Sequence, residues 1–308
     1  MDLRVLDRSH INFSQWDRCV QSSPTQLPYG LSWYLDAATN RQWKGIVDRD
    51  YQKVMPLPIK NFRLWKHIIQ PPLSQQLGVF GRGVSENDVH EMLQNIPSKY
   101  PIAHIPMNEN VPKTDLEGWQ RKTLPNYTID LSKPYKELRK AYTKSLKHRT
   151  NKFGTKLKVK PYHNVKQLQR NFHEIIGKRI GISQSHLNRS SNILHAAIEN
   201  ESGFMLEVTT VDDQWAGQLF YLRSKNRLIQ IKAVANDLGR NLCALHVGID
   251  HVLKTHAGQE LTYDFEGSKV PGVATFFQSF GAELTTYNHY TKKSLLQLIL
   301  DKFYARIR

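Results

Sequence analysis

Three runs in the second half of the chain, 203–210 (GFMLEVTT), 215–223 (WAGQLFYLR) and 227–235 (RLIQIKAVA), are rich in β-branched and aromatic residues. Such runs form strands. The breaks between them, Asp212-Asp213 and Ser224-Lys225-Asn226, are turn formers, so the three predict an antiparallel meander. From about 239 to 255 the period becomes that of a helix, with Leu242, Leu245, Ile249, Val252 and Leu253 as its buried stripe. A strand follows at 260–266 (ELTYDFE), and a strand–helix–strand unit of this spacing should be parallel and right-handed. Gly267 and Pro271 introduce a short helix at 271–279. A last strand pair is expected at 282–290. An amphipathic helix at 293–306 carries Leu295, Leu296, Ile299, Phe303 and Ile307 on one side.

Ahead of the meander, Ser132 and Pro134 suit a helix start. Leu138, Tyr142 and Leu146 follow at four-residue steps, so one helix is expected to run as far as Gly154. LKVKPY (157–162) reads as a strand. A helix from about 165 places Val165, Leu168, Phe172, Ile175 and Ile176 on one face, and a further helix is expected near 190–199. The first half is less regular. Segments 12–20 and 30–39 have helical spacing. Residues 43–58 read as a hairpin about Asp48-Arg49-Asp50, and Pro56 and Pro58 suggest an edge strand or a strand end. The stretch 59–84, with Pro71-Pro72, Gly78, Gly81 and Gly83, reads as loop with short strands. Ser85 starts a helix carrying Val89, Met92, Leu93 and Ile96, and 102–107 is a strand.

A chain of 308 residues suffices for two ordinary domains, and 40% apolar with 23% charged residues is a globular balance. No run approaches the ~18 apolar residues of a membrane span. The start, MDLRVLDRSHINF, lacks the apolar core of a signal peptide, so a cytoplasmic location is expected. Cys19 and Cys243 lie in different halves without metal-like spacing and are expected to be reduced core residues. The formal charge of +16 points to an anionic partner: nucleic acid, a phosphorylated cofactor or the surface of an anionic membrane touched peripherally. The excess is concentrated in 135–160, where ten Lys/Arg stand against one acid, Glu137. That stretch, which includes Lys147 and Arg149, is compatible with three uses: holding tRNA phosphates, holding a diphosphate-linked sugar–peptide precursor, or forming a solvated helix face.

The order of elements from 157 onward (strand, two helices, three-strand meander, helix, parallel strand, helix, strand) resembles that of GCN5-related N-acetyltransferases (GNAT). More specific are Tyr263-Asp264-Phe265-Glu266-Gly267-Ser268, then Pro271-Gly272, then Phe276-Phe277-Gln278-Ser279-Phe280-Gly281-Ala282. These resemble the signature near the end of FemAB-like aminoacyltransferases. Ile129-Asp130-Leu131-Ser132 and the basic segment Lys144–Lys152 resemble that family's entry into its second domain. The first 125 residues match in element order. The long helical arm of some FemAB proteins has no room between 178 and 203.

The resemblance implies an α/β (mixed α+β) fold of two GNAT-like domains: mostly antiparallel sheets, a parallel splayed strand pair and flanking helices. A degenerate copy would occupy 1–126 and a second 127–292, with 293–308 as a helix packing back on the first. Strands 227–235 and 260–266 would splay apart, and an acyl carrier would pair with the backbone exposed there, at Ala233, Val234 and Ala235. Its phosphates would lie at the amino end of the central helix, at Gly239, Arg240 and Asn241. The superfamily pattern Gln/Arg-x-x-Gly-x-Gly/Ala is reduced here to Gly239 with Arg240 beside it. The donor therefore stays open between an acyl-CoA and an aminoacyl-tRNA, a co-substrate rather than a tightly bound cofactor. The acceptor implied is an amine, on a small molecule or a cell-envelope precursor.

Acyl transfer to an amine needs two reactants held together, a proton acceptor and donors for the oxyanion. Asp264 and Glu266 alternate with Tyr263 and Phe265, so both are expected on one side of the strand end as acid/base candidates. Asp264 is equally suited to ordering the turn at Gly267. Tyr263, Ser268 and Lys269 are candidates for substrate contact, and the last two also read as solvated. Tyr287, close to His289 and Tyr290, is a candidate proton donor to the leaving group. None of the 13 histidines has a metal-site spacing, so no metal is expected; Gly-x-Ser-x-Gly, Walker and dinucleotide motifs are missing too. The reading is an acyl- or aminoacyltransferase. The alternative is a non-catalytic anion- or RNA-binding protein that kept the fold.

Overall fold

The computed structural model describes residues 2–62, 65–267 and 270–292. Ser268, Lys269 and the helix expected at 293–306 lie outside the described residues. The chain divides into two compact units: Met1–Leu124 with the segment that begins at Thr286, and Pro125–Thr285.

The first unit contains, in order, β1 (Leu3–Asp7), α1 (Phe13–Ser22), α2 (Ser32–Thr39), β2 (Trp43–Asp48), β3 (Lys53–Phe62), β4 (Trp65–Ile68), β5 (Phe80–Gly81), α3 (Glu86–Gln94), β6 (Ala103–Pro106) and the start of β7 (Trp119–Asp130). α3 begins in a capping box. The Ser85 hydroxyl accepts from the Asp88 amide, and the Asp88 carboxylate accepts from the Ser85 amide. The helix buries Val89, Met92 and Leu93 in one cluster with Ile46, Met55 and Leu57 of the hairpin. β3 is not the edge strand its prolines suggest, since β2 pairs with one side and β5 and β4 with the other. Lys53 and Val54 pair with β5, and Ile59–Phe62 with β4. Pro56 and Pro58 fall in the interval between those ladders, where a missing N–H costs no rung. The Pro58 carbonyl accepts from Ile69 on that side at 3.1 Å.

The second unit continues with α4 (Tyr135–Lys140), α5 (Lys144–Gly154), β8 (Leu157–Tyr162), α6 (Val165–Phe172), α7 (Gln184–Glu199), β9 (Gly203–Thr210), β10 (Trp215–Arg223), β11 (Arg227–Ala235), α8 (Asp237–Asn241), α9 (Ala244–His256), β12 (Thr262–Asp264) and α10 (Pro271–Ser279). β13 (Glu283–Lys292) leads out of it, one strand where a pair was expected. In its sheet β8-β9-β10-β11-β12 are neighbours in that order, and β12 pairs on its other side with Thr128–Asp130 of β7. Helices cover both faces. Leu219 and Tyr221 share a cluster with Val247, Ile249 and Leu253 of α9. Phe220, between them, points the other way, toward Gly203 and Ala197 of α7. α6 packs on β11.

Two expected helices are each broken in two. The Thr143 hydroxyl accepts from the Leu146 amide at 3.3 Å and starts α5 afresh, so Leu138 and Leu146 belong to different helices. Between α8 and α9, Cys243 adopts a left-handed conformation with φ 55°. An apolar stripe read by periodicity carries straight through such breaks, because one left-handed residue redirects the axis without changing the composition. Cys243 is half-buried rather than a core residue; Cys19 is buried.

Candidate functional site

β11 and β12 run parallel and pair over three positions only, Arg227↔Thr262, Leu228↔Tyr263 and Ile229↔Asp264. β12 stops there, while β11 continues to Ala235. Among the described residues, no other strand replaces β12 beside Gln230–Ala235. The strands therefore splay, and one backbone edge of β11 lies open. On its other edge β10 pairs throughout, but the register passes from Tyr221↔Gln230 to Phe220↔Lys232. Ile231 is the extra residue of a β-bulge, which bends the strand where the edge opens.

Ala233, Val234 and Ala235 lie on this open stretch. The residues beyond it are engaged within the chain. The Gly239 amide donates to Asn236 Oδ1 at 2.7 Å, and the Arg240 amide to the Asn236 carbonyl at 2.9 Å. A Cβ on Gly239 would sit 1.8 Å from the Ala216 carbonyl oxygen, so glycine is required for α8 to approach β10. The Arg240 guanidinium donates to the Ala235 carbonyl at 2.9 Å and pairs with Asp237. Asn241 is exposed on α8.

Asp264 is 1% exposed, and its carboxylate lies 2.5 Å from the guanidinium of Arg227, itself 5% exposed. Its other oxygen accepts the Glu266 amide at 2.8 Å. That is the arrangement of a turn-ordering carboxylate. Glu266 does not share a strand face with it, because β12 ends at Asp264 and Glu266 has φ 56°. Tyr263 is fully buried; its hydroxyl donates to Gln230 Oε1 at 2.6 Å and lies 3.2 Å from the Tyr221 hydroxyl. Burial, then the Tyr221 hydroxyl, hold its ionisation well above the usual phenol range, so Tyr263 acts as a neutral donor. Tyr287 is buried on the part of β13 that belongs to the first unit. Lys147 donates to the Lys140 carbonyl at 2.9 Å, and the Arg149 guanidinium lies 3.2 Å from His246 Nε2. Burial, then the Arg149 charge, push His246 down to about 4, so its neutral ring can accept that N–H. Among the described residues, no three His, Cys, Asp or Glu side chains are grouped to hold a metal ion.

Lys232, next after the bulge, is absent from the expected residues. It is 5% exposed and burial pushes its pKa down to about 7. A lysine in an alternating strand reads as a solvent-facing residue. The signal that corrects this is the order of elements: amphipathic helices precede and follow the meander, so both sheet faces are covered.

The two-unit α/β fold is similar to that of several solved structures. FemX matches it with a TM-score of 0.70 over 97% of this chain and 98% of its own, at 13% identity. The C-terminal domain of a putative lysylphosphatidylglycerol synthetase from Agrobacterium fabrum matches with a TM-score of 0.52 at 9% identity, covering 93% of this chain and 94% of its own. L-PGS from Bacillus licheniformis gives 0.51 at 9% identity, covering 87% and 89%. No protein-family model and no curated protein matches the chain. No described helix is long and apolar enough to cross a membrane.

Proposed function

We propose that this chain is an acyl- or aminoacyltransferase that moves its group onto an amine, with the donor laid along the open edge of β11. The observation that carries this is the splay. A strand that loses its neighbour after Ile229 presents backbone donors and acceptors that an extended acyl carrier can pair with. At its root the buried Tyr263 hydroxyl donates to Gln230 Oε1 and holds that side chain in place. The donor we favour is an aminoacyl-tRNA. Gly239 and Arg240 spend their donors inside the chain, which leaves little for a compact diphosphate, whereas α4 and α5 present Lys136, Arg139, Lys140, Lys144, Arg149 and Lys152 at the surface. The FemAB-like signature around Asp264, with one structural relative named a putative lysylphosphatidylglycerol synthetase, supports a cell-envelope amine or headgroup as acceptor. The same basic face suits peripheral contact with the anionic cytoplasmic surface of a membrane.

Thermal unfolding with coenzyme A, acetyl-CoA or aminoacyl-tRNA tests the reading. A ligand at a hundredfold over its Kd adds about 2.7 kcal/mol, a rise of roughly 4 °C or more for a chain of this size. A shift with acetyl-CoA makes this a CoA-dependent enzyme; a shift with tRNA alone supports the favoured donor. No shift with any of them contradicts the proposal. The internal engagement of Asp264, Gly239 and Arg240 favours one other reading, a non-catalytic RNA-binding relative. It would bind tRNA, charged or not, and transfer nothing in a single-turnover assay.

A further inference from the structure

Lys232 donates to Gln169 Oε1 at 2.7 Å and to Ser190 Oγ at 2.9 Å, and its Nζ stands 3.9 Å from the centroid of the Phe172 ring. These partners are neutral. Gln169 and Phe172 are three residues apart on α6, hence on one face, and Ser190 belongs to α7. The Gln169 amide also donates to Ser190 Oγ at 2.9 Å, which fixes its oxygen toward the lysine. One amine therefore joins three elements. Directly after Phe172, α6 widens into a π turn, His173–Gly177, that packs on β11. Such turns recur at functional positions. A fully apolar residue would fill this place at less cost than a buried amine, and the hydrogen bonds and ring contact the lysine makes offset part of that cost.

We propose that Lys232 is the positioning residue of the donor strand: it clamps β11, one residue past the bulge, to α6 and α7, and so fixes the backbone edge on which the acyl donor lies. This rests on the reading of β11 as the donor strand. An ammonium has three N–H groups; two meet oxygens and the third meets the ring face, so all are used in one geometry. Without them, β11 beyond Ile229 is held on one edge only, by β10.

Amide hydrogen exchange on the full chain tests the clamp, with coenzyme A and aminoacyl-tRNA binding as a second reading on the same samples. In Lys232→Met, exchange of the amides from Gln230 to Ala235 is expected to quicken about tenfold while β9 is unchanged. The melting temperature stays at or above wild type. Affinity for whichever donor binds wild type falls, and Lys232→Arg restores part of it. A merely structural lysine would lower the melting temperature and leave donor affinity of the folded fraction intact. Should the methionine variant fail to fold, Ser190→Ala removes one acceptor and is expected to move exchange in the same direction by less. Unchanged exchange in every folded variant overturns the clamp. If wild type binds neither donor, the donor-strand reading fails, and with it the positioning role, whatever exchange shows.

Discussion

Arg227 and Asp264 meet where β11 and β12 are about to part, guanidinium to carboxylate at 2.5 Å and both nearly removed from water. Arg227 stands on the first of the three rungs of the ladder and Asp264 on the last, and the carboxylate also holds the Glu266 amide. The pair pins the root of the splay. Asp264→Asn keeps an acceptor for that amide but leaves a guanidinium buried without its counter-charge. The expected loss is about 3–5 kcal/mol, read as a lower urea midpoint. Wild-type stability with lost transfer would mean instead that the carboxylate acts on the substrate.

Gly239 tests whether the loop before α9 is fixed by packing. Alanine there places a methyl 1.8 Å from the Ala216 carbonyl oxygen, a backbone atom that cannot swing aside. A destabilisation of about 1–3 kcal/mol is expected. A neutral effect in thermal unfolding would show that α8 can lift from β10, and that the glycine serves something else.

Lys232 leaves a mark on stability against pH. Its folded pKa, about 7, lies below the ordinary 10.5. Between these values the unfolded chain holds a proton that the folded chain lacks, so stability rises with pH across that window. Below about 7 both states are protonated and the full cost of the buried charge is present. Lys232→Met removes this cost. The variant should be more stable than wild type at pH 6, and the difference should shrink as pH approaches 10. Parallel curves for the two proteins would contradict the burial.

The basic helix α5 predicts a salt dependence. Replacing Lys144, Lys147 and Lys152 by Gln should weaken tRNA binding at low salt. The slope of log K against log salt should fall by about two units. An unchanged slope would make this face a solvated one.

Much of the second unit is legible in the sequence because each of its strands has a chemical reason to stop. The turn formers at 212–213 and 224–226 bound the meander, and the parallel partner at Thr262–Asp264 follows from the helix between. The breaks at Thr143 and Cys243 are not legible, since Leu138, Tyr142 and Leu146, like Leu242, Leu245 and Ile249, keep a helical period across them. Asp264 is visible as a singular residue, but its partner Arg227 lies 37 positions away and only the parallel register brings them together. Gly239 suggests a phosphate cradle by pattern, whereas its reason here is the carbonyl of Ala216. Lys232 escapes notice because polarity within a strand says nothing about which face a helix will cover.

The central claim is that an acyl donor lies on the open edge of β11. Hydrogen exchange across the chain, measured with saturating acetyl-CoA and separately with aminoacyl-tRNA, locates the donor directly. Protection of amides between Gln230 and Ala235 by one of the two is the expected result. Protection confined to α4 and α5, with β11 unaffected by either donor, would contradict the account and leave a protein that binds polyanions on a fold without its chemistry.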